Sequence, residues 1–413
     1  MTFQTLNLLD GIQRAIADID YTIPTPIQEE AIPLLLEGRD LCGSAQTGTG
    51  KTAAFAIPIL QTIALHRDPK KRFPTIQALV LAPTRELAMQ IYENFVLYGK
   101  YLPLKVAVIF GGVPQRPQVS SLQEGVDILI ATPGRLLDLY NQRFVKLQDV
   151  KHFVLDEADR MLDMGFIYDV KKIISYLPEK RQTMLFSATI SDEIASLIRS
   201  ILHDPVRIAI TPVEEPIEAI EQALYYVEKK EKIALLKDLL QDSSIKSALV
   251  FTRTKHGANR VATDLNFAGI RTEAIHGNKS QSARERALAL FKAQKIRILV
   301  ATDIAARGLD ISNLSLVVNY DLSDVPETYI HRIGRTGRAG QSGKAISFCS
   351  QEERDQLKGI QKHIKMEIPV QIHPKHPVTF QPVMMNAPVI PTTSIFSKSR
   401  PRGRRPGAYR GHR

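Results

Sequence analysis

From Ala45 to Thr52 the chain reads AQTGTGKT, a run of small, glycine and hydroxyl residues that ends on Lys51 and Thr52. The apolar DLCGS precedes it and the apolar AAFAIPIL follows, which gives the strand, loop and helix order of a phosphate-binding loop. Glycines allow backbone amides to converge on phosphate oxygens, and a helix amino end adds favourable partial charge. Lys51 is placed to reach the β- and γ-phosphates of a nucleoside triphosphate, and the Thr52 hydroxyl to bind Mg²⁺. Ala45, Gln46, Thr47, Gly48, Thr49 and Gly50 would line the same cradle. The strict pattern has glycine where this chain has Ala45, so the string alone also suits a glycine-rich turn.

VLDEAD, from Val154 to Asp159, sets acids directly after an apolar run. Asp156 can hold Mg²⁺ through water while Glu157 orients an attacking water, because phosphoryl transfer needs positioning and charge neutralisation above all. The bland alternative is an acidic start to a solvated helix. Paired with the loop at Lys51, the catalytic reading is the stronger. A second hydroxyl cluster, Ser187 and Thr189 in SAT, follows another apolar run and suits either helix capping or a partner for Asp159.

Such residues need a scaffold that delivers them to one edge. Short apolar, β-rich runs recur, each closing on polar or small residues: ALVLAPTRE, VAVIFGG, VDILIATPGR, HFVLDEAD and TMLFSAT, then ALVFTRTK, RTEAIHG, IRILVATD and LSLVVNYDLS. Helix-periodic stretches such as ELAMQIYENFVLYGKYL and ALLKDLLQD lie between them. The expected fold class is therefore α/β, with mainly parallel sheets covered by helices on both faces and ligands at the carboxyl ends of the strands.

A chain of 413 residues suits two domains. The expected boundaries are a first domain over 1–209, a linker over 210–220, a second domain over 221–367 and a disordered basic tail over 368–413. The linker expectation rests on AITPVEEPIEAIEQ, which has two prolines and four acids and no clear strand pattern. The net charge is +11, and residues 368–413 carry eight Lys or Arg and no acid, which points to a polyanion partner. No run approaches the ~20 apolar residues of a membrane span. Only Cys42 and Cys349 occur, without metal-ligand spacing, which fits a reduced, cytoplasmic setting and no membrane association.

AQTGTGKT, DEAD and SAT, in that order, resemble the DEAD-box branch of superfamily 2 RNA helicases, and the likeness covers roughly the first 365 residues. The resemblance implies two tandem RecA-like domains, ATP and Mg²⁺ as cofactors, and RNA-stimulated ATP hydrolysis that unwinds short duplexes or remodels ribonucleoproteins. It makes YTIPTPIQ an adenine-reading motif in which Gln28 bonds the base edge and Tyr21 stacks, with Phe3 the upstream aromatic. Ser187 and Thr189 would couple hydrolysis to unwinding through Asp159. In HRIGRTGR, Arg335 and Arg338 would be arginine fingers on the γ-phosphate, worth about 10³ to 10⁵ in rate. In VATDIAARGLD, Asp310 would bind ribose hydroxyls and Gly308 would approach the nucleotide through its backbone.

By the same resemblance, RNA would contact Pro83, Thr84, Arg85, Gly111, Gly112, Thr132, Pro133, Gly134 and Arg135 in the first domain. In the second it would contact Thr254, His276, Gly277, Gln281, Arg284 and Thr302. Arginines, hydroxyls and glycine amides grip phosphates without reading sequence, so single-stranded RNA and short duplexes would bind with little preference. The MLDMGF run resembles the bacterial RhlE-like subgroup, which implies ribosomal precursors or the RNA-degradation machinery as partners. An ATP-gated RNA clamp and a DNA translocase of the same superfamily are the rival readings.

Overall fold

The computed structural model describes residues 2–44, 49–67, 74–209, 220–306, 313–337 and 343–377, together with residues 309, 311, 390 and 391. They divide into two compact units, each built on its own parallel sheet.

The strands of the first unit are β1 Leu41–Ser44, β2 Ala78–Leu81, β3 Val106–Ile109, β4 Ile128–Ala131, β5 His152–Leu155, β6 Gln182–Ser187 and β7 Val206–Ala209. They hydrogen-bond in the order β3-β4-β2-β5-β6-β1-β7. Every pairing is parallel, with Leu41 opposite Met184 and Ala78 opposite Ile128 and His152. Helices connect them: α1 Asp10–Ala17, α2 Pro26–Leu36, α3 Lys51–Leu65, α4 Arg85–Tyr98, α5 Gln115–Gln123, α6 Pro133–Asn141, α7 Ala158–Asp163, α8 Ile167–Ile174 and α9 Asp192–Ile201.

Central strands are apolar at nearly every position because both faces are covered. Successive side chains alternate between two cores. Val80, Ile130, Val154, Met184 and Phe186 join the core of α1 to α4 on one face. Leu79, Leu81, Leu129, Phe153 and Leu185 join the core of α6 to α9 on the other. Phe55 of α3 anchors the first core, its ring 5.4 Å from Phe186 and 6.1 Å from Phe95.

The second unit repeats the plan with β8 Ile220–Tyr226, β9 Ala248–Phe251, β10 Thr272–Ile275, β11 Ile298–Ala301, β12 Leu316–Asn319 and β13 Gly343–Cys349, ordered β10-β11-β9-β12-β13-β8. Its helices are α10 Lys232–Leu240, α11 Lys255–Phe267, α12 Gln281–Lys292, α13 Asp303–Ala306, α14 Pro326–Ile333 and α15 Arg354–Ile364. Val250, Val300 and Val318 face one core, and Leu224, Tyr226 and Ala345 pack with Tyr329, Ile333, Leu357 and Ile360 in another.

Two boundaries differ from the sequence expectation. The linker expected over 210–220 gives way to strand at its last residue, because Ile220 opens β8 and pairs with Gly343. Gln222, which disguised that strand as polar, is buried and accepts a hydrogen bond from the Tyr329 hydroxyl at 2.6 Å. The disordered tail expected from 368 also starts too early. Ile368 is only 1% exposed, Leu224 donates to the Pro369 carbonyl at 2.8 Å, and the Tyr225 hydroxyl donates to Gln371 at 2.8 Å. Residues 210–219 of the linker lie outside the described residues, as does the tail beyond 377 apart from the short strand Ile390–Pro391. No helix among the described residues is long and apolar enough to cross a membrane.

Candidate active site and RNA interface

Because all seven strands of the first sheet are parallel, the loops that follow them emerge along one edge. β1, β5 and β6 are neighbours, and they carry the phosphate loop, the DEAD segment and SAT. β3, β4 and β2 are neighbours too, and they carry Gly111 and Gly112, the TPGR segment and PTRELA. One edge thus divides into a phosphate-chemistry half and a candidate RNA half.

In the phosphate half, Gly50 caps α3 with φ of +94°, a left-handed conformation that a glycine holds without strain. A Cβ there would also collide with the Gln28 amide. Gln28 is fully buried and ties the YTIPTPIQ segment to this turn. Its Nε2 donates to the Gly50 carbonyl at 3.0 Å and to the Tyr21 hydroxyl at 2.6 Å, and its Oε1 accepts from the Thr25 backbone at 2.9 Å. Both amide protons are therefore engaged by the protein. Phe3 is buried in the first core with its ring 5.1 Å from Tyr21, so it braces Tyr21 from below. Lys51 is buried at the first turn of α3, and Thr52 follows it half-buried. Ala45, Gln46, Thr47 and Gly48 lie outside the described residues.

Asp156 and Glu157 leave the end of β5 almost wholly buried. Burial lifts the Asp156 carboxyl to about 7 against the pull of Lys51, and the Glu157 charge pushes the same way as burial. Asp156 Oδ1 is buried with no hydrogen-bond partner. An orphaned buried carboxylate oxygen is the hard oxygen ligand that fits Mg²⁺ bound through water, and the nearby Lys51 charge favours its ionised form. Glu157 sits in the left-handed region with φ of +55° and is held by the Arg160 guanidinium. A non-glycine residue there is strained, as side chains at reaction centres often are.

Asp159 and SAT meet as the sequence suggested. Asp159 Oδ2 accepts from the Ala188 and Thr189 amides at 3.1 and 2.9 Å and from the Thr189 hydroxyl at 3.1 Å. Ser187 is completely buried; its hydroxyl accepts from the Asp159 amide at 3.2 Å and donates to the Thr189 carbonyl at 2.7 Å. The last residue of DEAD and the whole of SAT therefore form one closed hydrogen-bonded unit.

In the RNA half, the Arg85 guanidinium lies directly over the Gly112 backbone, which turns with φ of +76°. Thr84 caps α4 by accepting from the Leu87 amide at 3.3 Å. Arg135 donates to the Val113 carbonyl at 3.2 Å and lies 3.6 Å from Asp138, and Thr132 precedes Pro133 and Gly134 at the start of α6. Three separate motifs thus converge on one strip.

On the second sheet, β9, β10 and β11 are neighbours, so Thr254, His276, Gly277 and Thr302 also share an edge. Thr254 caps α11 by accepting from the Gly257 amide at 3.0 Å. His276 is buried with Nε2 2.9 Å from Asn259 Oδ1, and burial first, then nearby cations, holds its imidazole below the ordinary histidine value. Gln281 and Arg284 occupy the first turn of α12. Arg335 is buried just after α14, while Gly308, Asp310 and Arg338 lie outside the described residues.

Sequence reasoning missed two arginines. Arg332, three residues before Arg335, is 2% exposed and pairs with both Asp303 oxygens at 2.6 and 2.7 Å, with Asn319 at 3.1 Å and with the Asp321 carbonyl at 2.7 Å. Nothing in HRIGRTGR separates this structural arginine from its neighbours. Arg160 was readable, since residues three apart on a helix face each other.

Tandem parallel sheets, with a lysine-bearing loop and acids at one edge, define a RecA-like nucleotide hydrolase. The DEAD/DEAH box helicase family model matches residues 25–197, and the helicase conserved C-terminal domain matches residues 231–340. A DEAD-box ATP-dependent RNA helicase, CshA of Bacillus cereus, is 42% identical over 367 residues, covering 89% of this chain and 69% of the relative. RNA helicase CrhR of Synechocystis is 46% identical over 370 residues, covering 89% and 74%. Saccharomyces cerevisiae Dbp5 bound to RNA and ADP BeF₃ superposes with a TM-score of 0.77 at 33% identity, covering 89% of this chain and 94% of Dbp5. The chain belongs to the DEAD-box ATP-dependent RNA helicase family.

Proposed function

We propose that this RNA-dependent ATPase grips the triphosphate of ATP with the loop over 45–52 and uses Glu157 to orient the attacking water. The observation that carries the reading is the juxtaposition of the orphaned, buried Asp156 oxygen with the closed Asp159, Ser187 and Thr189 unit next to it. Mg²⁺, held by the Thr52 hydroxyl and through water by Asp156, would neutralise charge on the β- and γ-phosphate oxygens. Lys51 binds those oxygens directly, Tyr21 stacks on the base, and Gln28 reaches the base edge by exchanging its amide bonds to Tyr21 and Gly50. Arg335 and Arg338 act on the γ-phosphate, and Gly308 and Asp310 on the nucleotide and its ribose.

RNA lies along the strip of Pro83, Thr84, Arg85, Gly111, Gly112 and Thr132 to Arg135, and along the edge bearing Thr254, His276, Gly277, Gln281, Arg284 and Thr302. Any change in the ATP site that moves SAT moves the whole Asp159 unit with it, which is how hydrolysis would be coupled to unwinding. MLDMGF supports an RhlE-like role on ribosomal precursors or with the RNA-degradation machinery, and the buried free thiols of Cys42 and Cys349 support a cytoplasmic setting.

The test is steady-state ATPase with and without single-stranded RNA. RNA should raise the rate, and Glu157→Gln should lower kcat by roughly 10² or more with little change in KM. A rate indifferent to both would rule the scheme out. Strand displacement on a short duplex separates unwinding from clamping.

A further inference from the structure

Asp238, His373 and His376 form the one group of three metal-ligating side chains found among the described residues, and none belongs to the nucleotide or RNA motifs. Their donor atoms all lie within 4.8 Å of one another. We propose that they bind a divalent transition metal of the zinc class, which pins the segment after α15 to α10.

The geometry is close to what such an ion requires. Tetrahedral coordination with bonds of about 2.0–2.1 Å sets neighbouring donors about 3.3 Å apart. His376 Nε2 already lies 3.2 Å from Asp238 Oδ2, and the two imidazoles are 5.0 Å apart at 36°. The His373 donor lies within 4.8 Å of the other two, and the ion would draw it in to complete the third side. Two imidazoles and one carboxylate make a borderline donor set, which suits Zn²⁺, Co²⁺ or Ni²⁺ and disfavours Mg²⁺.

The ligands are also preorganised. His373 and His376 bracket a tight turn in which the His376 amide donates to the His373 carbonyl at 3.0 Å. That turn is fixed to the domain by buried Ile368 and by the Tyr225 bond to Gln371. Asp238 comes from the last turns of α10, and the side chains of Asp238 and His376 are only 21% and 12% exposed. Lys375 Nζ, 3.6 Å from the same Asp238 oxygen, competes for that carboxylate. To ligate through Nε2, the neutral His376 imidazole carries its ring proton on Nδ1, so the ion takes the place of the hydrogen bond to Asp238.

Isothermal titration of the full chain with ZnCl₂ alone, beside His373→Ala, Asp238→Asn and Lys375→Gln, tests the site. One equivalent should bind to the unaltered chain and be lost, or weakened about ten-fold or more, in the first two variants. Lys375→Gln should bind several-fold more tightly, an outcome a merely structural polar knot does not give. Circular dichroism and RNA-stimulated ATPase should be unchanged in all three. Co²⁺ added to the unaltered chain should give intense tetrahedral d–d absorption that Zn²⁺ abolishes and millimolar Mg²⁺ does not. Equal Zn²⁺ stoichiometry with and without His373, or a cobalt spectrum of the hexaaqua ion alone, overturns the proposal.

Discussion

At the scale of single residues, Gly112 shows how backbone geometry can set the position of a binding group. Its φ of +76° and the guanidinium packed on its Cα leave no space for a side chain. Gly112→Ala should displace Arg85 and strain the turn by about 1–2 kcal/mol. Fluorescence anisotropy with labelled single-stranded RNA should show about ten-fold weaker binding, with RNA-free ATPase unchanged. Gly111→Ala is the control, because its Cβ would meet Arg85 only at 4.0 Å. Equal losses in the two variants would place Arg85 away from the RNA. Arg332 makes the opposite kind of prediction. Removing it leaves Asp303 and Asn319 without their buried partner, a type of loss that typically costs 3–5 kcal/mol. Arg332→Ala should lower the melting temperature sharply, whereas Arg335→Ala should change ATPase far more than stability.

At the scale of elements, β5 leads directly into Asp156 and Glu157 and depends on the polar tie at its start. His152 donates through Nδ1 to Gln182 Oε1 at 2.9 Å, and Gln182 donates on to the Leu35 and Arg39 carbonyls at 2.9 and 2.8 Å. Burial holds the His152 imidazole down at about 4, even though its bond to Gln182 acts in the opposite direction. Below pH 6.5 the unfolded chain therefore binds a proton that the folded chain refuses. The resulting stability is complete above about pH 6.5 and is lost as pH falls toward 4, a contribution of about 3 kcal/mol. Urea titrations across that range should show the loss, and His152→Gln should flatten it. This tie was invisible in HFVLDEAD, since a histidine opening an apolar run looks like a strand end exposed to water. The strands that were legible, such as β2 and β11, are those where every position is apolar. β8 was not, because Glu221 points outward while Gln222 is satisfied inside by Tyr329, and a polar residue with a buried partner reads like a loop.

At the scale of the whole molecule, charge is the property that composition alone gives. Motif residues were legible because chemistry restricts their identity: a triphosphate needs a lysine and glycines whatever surrounds them. The packing partners Asp303 and Asn259 were not, because their choice depends on tertiary neighbours. Seven of the eight basic residues of 368–413 lie beyond Pro377, where the sequence holds no acid to offset them. A polyanion bound by such a segment releases counterions, so its contribution falls steeply with salt. Ending the chain at Pro377 should weaken RNA binding about ten-fold at low ionic strength, reduce the slope of log affinity against log salt, and leave kcat at saturating RNA nearly unchanged. The full and shortened chains should converge at high salt. A slope that does not change on shortening would assign RNA affinity to the two folded domains alone, and would leave the basic segment as a solubilising extension.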